Sequence, residues 1–185
     1  VAFESLPAGT QPGKSLVLVG AHSVDATFTS AELTAGADNR FREYAYFPFR
    51  SVQIKVNPDG SVEGSATVNY SDAVRYLVAL GVPAQDIAEG AKKLNIPNVS
   101  LPVYLKVSGS VAHNKSSIVV EQAQIARISV PQDLVNQYGP ALNGLVESII
   151  RTRQPSYNIQ KLDVENGSVH FVGNAPDKEQ AVKSF

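Results

Sequence analysis

Residues Ser129 to Arg153 carry the pattern that most restricts how this chain can fold. Leu134, Tyr138, Leu142, Leu145 and Ile149 recur at intervals of three and four, with Val135, Val146 and Ile150 beside them. Asn136, Gln137, Asn143 and Glu147 fall elsewhere. Such spacing draws one broad apolar stripe along a helix. Pro131 suits the first helical position, where no N–H bond is lost. Asp133 in the first turn and Arg151 and Arg153 in the last match the helix dipole. Gly139-Pro140 predicts a bend and Pro155 a stop, so the helix is expected over 131–153. A helix this apolar needs a large surface to lie on, and alternating segments on both sides supply a sheet. The expected class is α+β: a mainly antiparallel twisted sheet packed around this helix, with Leu142, Leu145 and Ile149 buried against it.

Composition narrows the function classes. Net charge is −1 and charged residues make up 18% of the 185 residues, against the usual share of about 25%. No basic run offers a polyphosphate footprint, which argues against nucleic acid as a partner. The chain has no cysteine, so thiolate zinc sites, disulfides and cysteine nucleophiles are excluded. No apolar run approaches the roughly 18 residues of a membrane span. Residues 1–14, with Pro7, Gly9, Pro12 and Gly13, read as a loose lead-in. Residues 15–175 read as a single domain and 176–185 as a polar tail. Position 1 is not Met, and an excised signal or membrane anchor before Val1 is the expectation for localisation, weighed against simple trimming.

Taken in order, Ser15–Val19 reads as an edge strand and Val24, Ala26 and Phe28 alternate as a half-buried one. Thr29-Ser30-Ala31-Glu32 is a capping box that starts a helix to about Arg40. Phe41, Tyr44, Tyr46, Phe47 and Phe49 form an aromatic knot broken by Pro48. Val52, Ile54 and Val56 alternate, turn at Asn57-Pro58-Asp59-Gly60 and return through Val62, Gly64, Ala66 and Val68, a hairpin signal. Two helices are expected over 71–95, one with Val74, Leu77 and Val78 inward and closed by Gly81. The other carries Ile87, Ala91 and Leu94. Leu101–Val107 and Ile118–Ile128 read as the longest strands, the second feeding straight into the long helix. Ile159–Val164 and Ser168–Val172 form a last hairpin around Asn166-Gly167. Strand, helix and hairpin thus follow one another twice, at Phe28–Val62 and Ile128–Val169, either as a degenerate internal repeat or through recurrent use of common turn chemistry.

Chemistry-bearing motifs are missing. His22, His113 and His170 lack any ligand spacing. Ser108-Gly109-Ser110 is no nucleophile elbow, and no glycine-rich loop precedes a helix. Asp59, Asp163 and Glu165 sit at hairpins, where carboxylates are ordinary turn residues. The Asn-x-Ser triplets at Asn98, Asn114 and Asn166 are frequent by chance in such a chain. No catalytic residue, metal ligand or cofactor is expected. The aromatic knot reads either as core closing the end of a sheet or as a lip over an apolar groove. The long helix is likewise core or groove wall.

Several of these segments resemble one family. Phe28-Thr29-Ser30-Ala31-Glu32-Leu33, the strand led by Leu101-Pro102, the Ile-x-Val-Pro entry at Ile128–Pro131 and the late Asn-Gly hairpin look like the YpmS-like extracytoplasmic envelope proteins of Gram-positive bacteria. More loosely, the layout is similar to tubular lipid-binding (TULIP-like) domains, in which a curved antiparallel sheet wraps a long helix and encloses an apolar groove. The resemblance implies a non-enzymatic extracytoplasmic binding domain, secreted or held by an N-terminal membrane anchor, with a lipid or other amphiphile between sheet and helix. Tyr44, Tyr46, Phe47, Phe49, Tyr138 and Leu142 are the candidate ligand-binding residues. The alternative is a structural interaction module that meets another envelope protein and takes no small-molecule ligand.

Overall fold

The computed structural model describes residues 2–5, 16–43, 48–79, 83–93 and 99–181. In chain order these form β1 (Ala2–Ser5), β2 (Leu16–Val19), β3 (His22–Phe28), α1 (Ser30–Glu43), β4 (Phe49–Val56), β5 (Val62–Asn69), α2 (Tyr70–Ala79), α3 (Ala84–Lys93) and β6 (Ser100–Ser108). Then follow β7 (Val111–Ala112), β8 (Lys115–Ser116), β9 (Val119–Ile125), β10 (Ile128–Ser129), α4 (Gln132–Thr152), β11 (Asn158–Glu165), β12 (Ser168–Ala175) and β13 (Lys178–Ala181). The class is α+β, with twisted antiparallel sheets packed with the long helix α4.

Turn chemistry sets the strand registers. Asn166 and Gly167 both take positive φ, the pair a two-residue hairpin loop needs, and they place Asp163 opposite His170 and Val164 opposite Val169. At the other hairpin Asp59 accepts hydrogen bonds from Ser61 N and Oγ at 2.9 and 2.6 Å, while Gly60 takes the positive φ. Ala126 and Arg127 are another pair with positive φ. They turn β10 back onto β9, with Ile128 opposite Ile125. The long strand expected to run into α4 therefore doubles back first, and Ile128 is 73% exposed.

Two five-stranded sheets result, in the orders β10-β9-β6-β5-β4 and β3-β12-β11-β7-β8. Period-2 patterning gives each one apolar face. In the first, Ile54, Gly64, Leu105 and Ala123 lie abreast, followed by the row Ala66, Val103 and Ile125. Gln53, Ser65, Tyr104 and Gln124 occupy the opposite face. In the second, Ala26, Phe171, Leu162 and Val111 lie abreast, and Val111 is 1% exposed. Gly173 is required there, since a Cβ would sit 2.0 Å from the Asn158 carbonyl oxygen. The strand before α1 pairs with the hairpin after α4, through β3 and β12. Conversely, the strand before α4 joins the sheet of the hairpin after α1, through β9, β6 and β5.

Both long helices close a sheet edge with polar side chains. On α1, Ser30 Oγ accepts from Val56 N at 2.9 Å, and Thr34 Oγ1 accepts from Ile54 N at 2.9 Å, along the open side of β4. The capping box forms as expected: Glu32 accepts from Thr29 N at 2.8 Å and Thr29 Oγ1 accepts from Glu32 N at 3.3 Å. On α4, Asn143 Oδ1 accepts from Ile118 N at 2.7 Å and its Nδ2 donates to Ile118 O at 2.8 Å. Glu147 accepts from Ser116 N at 3.1 Å. Unpaired backbone groups at a sheet margin must be satisfied, so α4 docks through residues that periodicity placed off its stripe.

Three expectations are corrected by this packing. Along α4 the buried residues are Val135 and Ile150, whereas Leu142, Leu145 and Ile149 are half-buried. Pro131 is the N-cap, one place before the helix. The polar tail from Pro176 instead supplies β13, which pairs with β2 and with β1 from the expected lead-in. Glu179 on β13 is fully buried and accepts a hydrogen bond from Tyr157 Oη at 2.5 Å.

Candidate functional site: an apolar groove over the first sheet

The described residues do not fully cover the apolar face of the first sheet. Leu105, on its central strand, is 37% exposed. Only Val52, Val56, Val111, Val135 and Ile150 are fully buried hydrophobic residues among those described. Two cavities occupy the space that side chains leave. The first, of about 660 Å³, is walled by Val74 and Leu77 of α2 and Ile87 and Ala91 of α3, with Tyr138 and Ala141 of α4 at one side. The second, of about 500 Å³, lies under α1 at Ala37, over Ile54, Gly64, Ala66 and Leu105. Val103 and Ile125 line both, so the two chambers meet over one strip of sheet. Each volume is in the range of small-molecule sites, about 300–1,000 Å³.

Small residues make the second chamber. A Cβ built on Gly64 would meet nothing within 4 Å, and Ala66 follows it two residues along the same face. Where Ile54 and Leu105 flank them, a Val or Leu would have filled the hollow. Phe49 stands where the chambers join: it lines the second, its ladder partner Val68 lines the first, and its ring meets Tyr76 of α2 edge-on at 6.3 Å and 81°.

Among the described residues, charge lines only the first chamber: Asp86, Glu89 and Lys93 of α3. Lys93 Nζ donates to Tyr138 Oη at 3.1 Å and lies 5.8 Å from that ring's centre. This hydrogen bond holds the Lys93 amine above the ordinary lysine range, fully charged at neutral pH. Glu89 accepts from Gln85 Nε2 at 3.1 Å, and Asp86 sits in the first turn of α3, where the helix dipole favours it.

Of the six residues singled out from sequence, the structure brings Phe49 and Tyr138 to this groove. Leu142 is half-buried and lines neither chamber, whereas its neighbour Ala141 lines the first. Tyr44, Tyr46 and Phe47 lie outside the described residues. The main wall is the α2–α3 pair, a partner for the sheet that the layout of the resembled family does not include. Sequence marks Val74, Leu77 and Val78 as the inner face of α2; the first two line the chamber, whereas Val78 is 45% exposed. Nothing local in the sequence marks Lys93, whose place depends on where α4 puts Tyr138.

Other titratable clusters are structural. Asp59 is held below the usual carboxylate range first by the Ser61 hydroxyl. Glu63 is lowered by hydrogen bonds from Asn57 and then Tyr104, on the polar face of the sheet. Asp163, Glu165 and His170 bring one ligand atom each within 4.8 Å of one another. Lys161 Nζ already sits against Asp163 Oδ2 at 3.2 Å and against Glu165. The hairpin register around Asn166-Gly167 was the signal that could have placed His170 beside these carboxylates. No helix among the described residues is long and apolar enough to cross a membrane.

No protein-family model, no curated protein and no solved structure matches this chain.

Proposed function

We propose that this chain is a non-enzymatic extracytoplasmic binding domain that carries a lipid or other amphiphile along the groove over its first sheet. The observation that supports the reading is the pair of apolar chambers that meet at Val103 and Ile125, with Leu105 of the central strand exposed in the floor of the second. A face of that kind is normally covered, and an acyl chain would cover it. Burial supplies the affinity at roughly 25 cal/mol per Å² before ordering costs, so binding depends little on salt. The sequence resemblance to envelope proteins points the same way for location and for the lack of catalysis. Titrating a fluorescent neutral acyl glycerol into the protein tests it. Saturable binding at near one molecule per chain, weakened several-fold in Leu105→Glu, is the expected result. No saturable binding overturns the reading and leaves the interaction module in its place.

A further inference from the structure

The two chambers are chemically unequal, and a ligand lying along both would have to lie one way round. The second chamber has an apolar floor of Ile54, Gly64, Ala66 and Leu105 and, among the described residues, no charged lining residue. The first ends at charged α3 and at the Tyr138 hydroxyl. A polar head therefore belongs in the first chamber and a chain terminus in the second, since burying a charge among Gly64 and Ala66 would leave it unpaired. The sign of the head follows from which charges are already engaged. Glu89 holds Gln85, and Asp86 is favoured by the N-terminus of its own helix. Lys93 feels the Glu89 charge one turn back, but its ammonium is directed onto the Tyr138 hydroxyl, which lines the same chamber. A carboxylate or phosphate can take the ammonium and the phenol hydroxyl together, as two donors to one anion.

We propose that the groove binds long-chain amphiphiles with an anionic head, the head held by Lys93 and Tyr138 and the chain terminus lodged against Gly64 and Ala66. This rests on the amphiphile reading above, and the two can fail separately. The chamber under α1 then acts as a length gauge. Chains too short to cross the strip at Val103 and Ile125 leave it empty, and longer ones gain affinity from it.

Displacement of the neutral acyl-glycerol probe by palmitate, by laurate and by hexadecyltrimethylammonium tests both ends. Palmitate is expected to bind more tightly than laurate and more tightly than the cationic amphiphile. Lys93→Gln should weaken palmitate roughly twofold to fivefold, the worth of an exposed ion pair, and weaken it more than it weakens the neutral probe. Ala66→Leu, which fills the second chamber, should abolish the advantage of palmitate over laurate and leave laurate as it was. Circular dichroism of both variants establishes that they are folded. If the neutral probe binds but Lys93→Gln treats palmitate as wild type does, the anionic-head assignment is overturned. A palmitate advantage that survives Ala66→Leu overturns the placement of the chain end. Failure of the neutral probe to bind at all removes the amphiphile reading instead.

Discussion

His170 shows how much a single cross-strand position can do. Its Nε2 lies 2.8 Å from Asp25 Oδ1 on β3, and its Nδ1 lies 3.6 Å from Glu165 Oε2 at the end of β11. The ring thus ties an edge strand to the tip of a hairpin, with the side chain only 21% exposed. The Asp25 hydrogen bond, and after it the Glu165 charge, raise the His170 pKa above its ordinary 6.5, against burial and the Lys161 charge. A raised folded-state pKa means the stabilisation is fully present below about 6.5, the unfolded value, and is lost as pH climbs through the folded one. Urea midpoints of wild type and His170→Gln should therefore differ most at mildly acidic pH, while Asp25 and Glu165 stay ionised, and converge on the alkaline side. A gap that stays constant across that range would falsify the imidazolium latch.

At the scale of elements, α4 is held by two kinds of contact that obey different rules. Ile150 is only 5% exposed, so Ile150→Ala is expected to cost about 2–5 kcal/mol. Leu145→Ala, at a half-buried site, should cost distinctly less. Asn143 works through the backbone of Ile118, donating to its carbonyl and accepting from its N–H. Asn143→Leu would extend the apolar stripe on paper, yet it should destabilise by about 1–3 kcal/mol by orphaning those groups. Equal or greater urea stability in Asn143→Leu would contradict this docking mode. On α1 the Thr29 cap is local, and Thr29→Ala should cost about 0.5–2 kcal/mol, read as a lower thermal midpoint. The capping box and the Asp59-Gly60 and Asn166-Gly167 turns were legible in the chain because they use neighbours in sequence, whereas the Ala126-Arg127 turn carries no such signal. Asn143 was not, because nothing local distinguishes a solvated Asn from one aimed at a strand margin.

At the scale of the whole molecule, the exchanged pairings matter most. β3 lies in the sheet of the last hairpin, and β9 lies in the sheet of the first. Neither strand–helix–hairpin unit can therefore keep its sheet while the other unfolds. One cooperative transition is expected, with far-UV circular dichroism and tyrosine fluorescence giving the same urea midpoint. Two separated midpoints would show that the halves are energetically independent. The groove depends on the same connectivity: its floor takes strands from residues 49–69 and 100–125, and its walls come from four different helices.

Local patterning in the chain was enough to establish the α+β class, the places of the helices, both glycine-bearing hairpins and the apolar faces of the strands. Each of those follows from periodicity or turn chemistry within a few residues, which tertiary packing rarely overrides when the signal is that strong. Tertiary structure alone decided which strands became neighbours, that residues 178–181 would join a sheet, and that Phe49 and Tyr138 would reach one groove while Leu142 would not. Those outcomes depend on long-range pairing and on where α2 and α3 come to rest over Gly64, Ala66 and Leu105. A hollow is made of side chains that are missing, and a glycine in a strand reads the same in sequence whether a neighbour fills its place or nothing does.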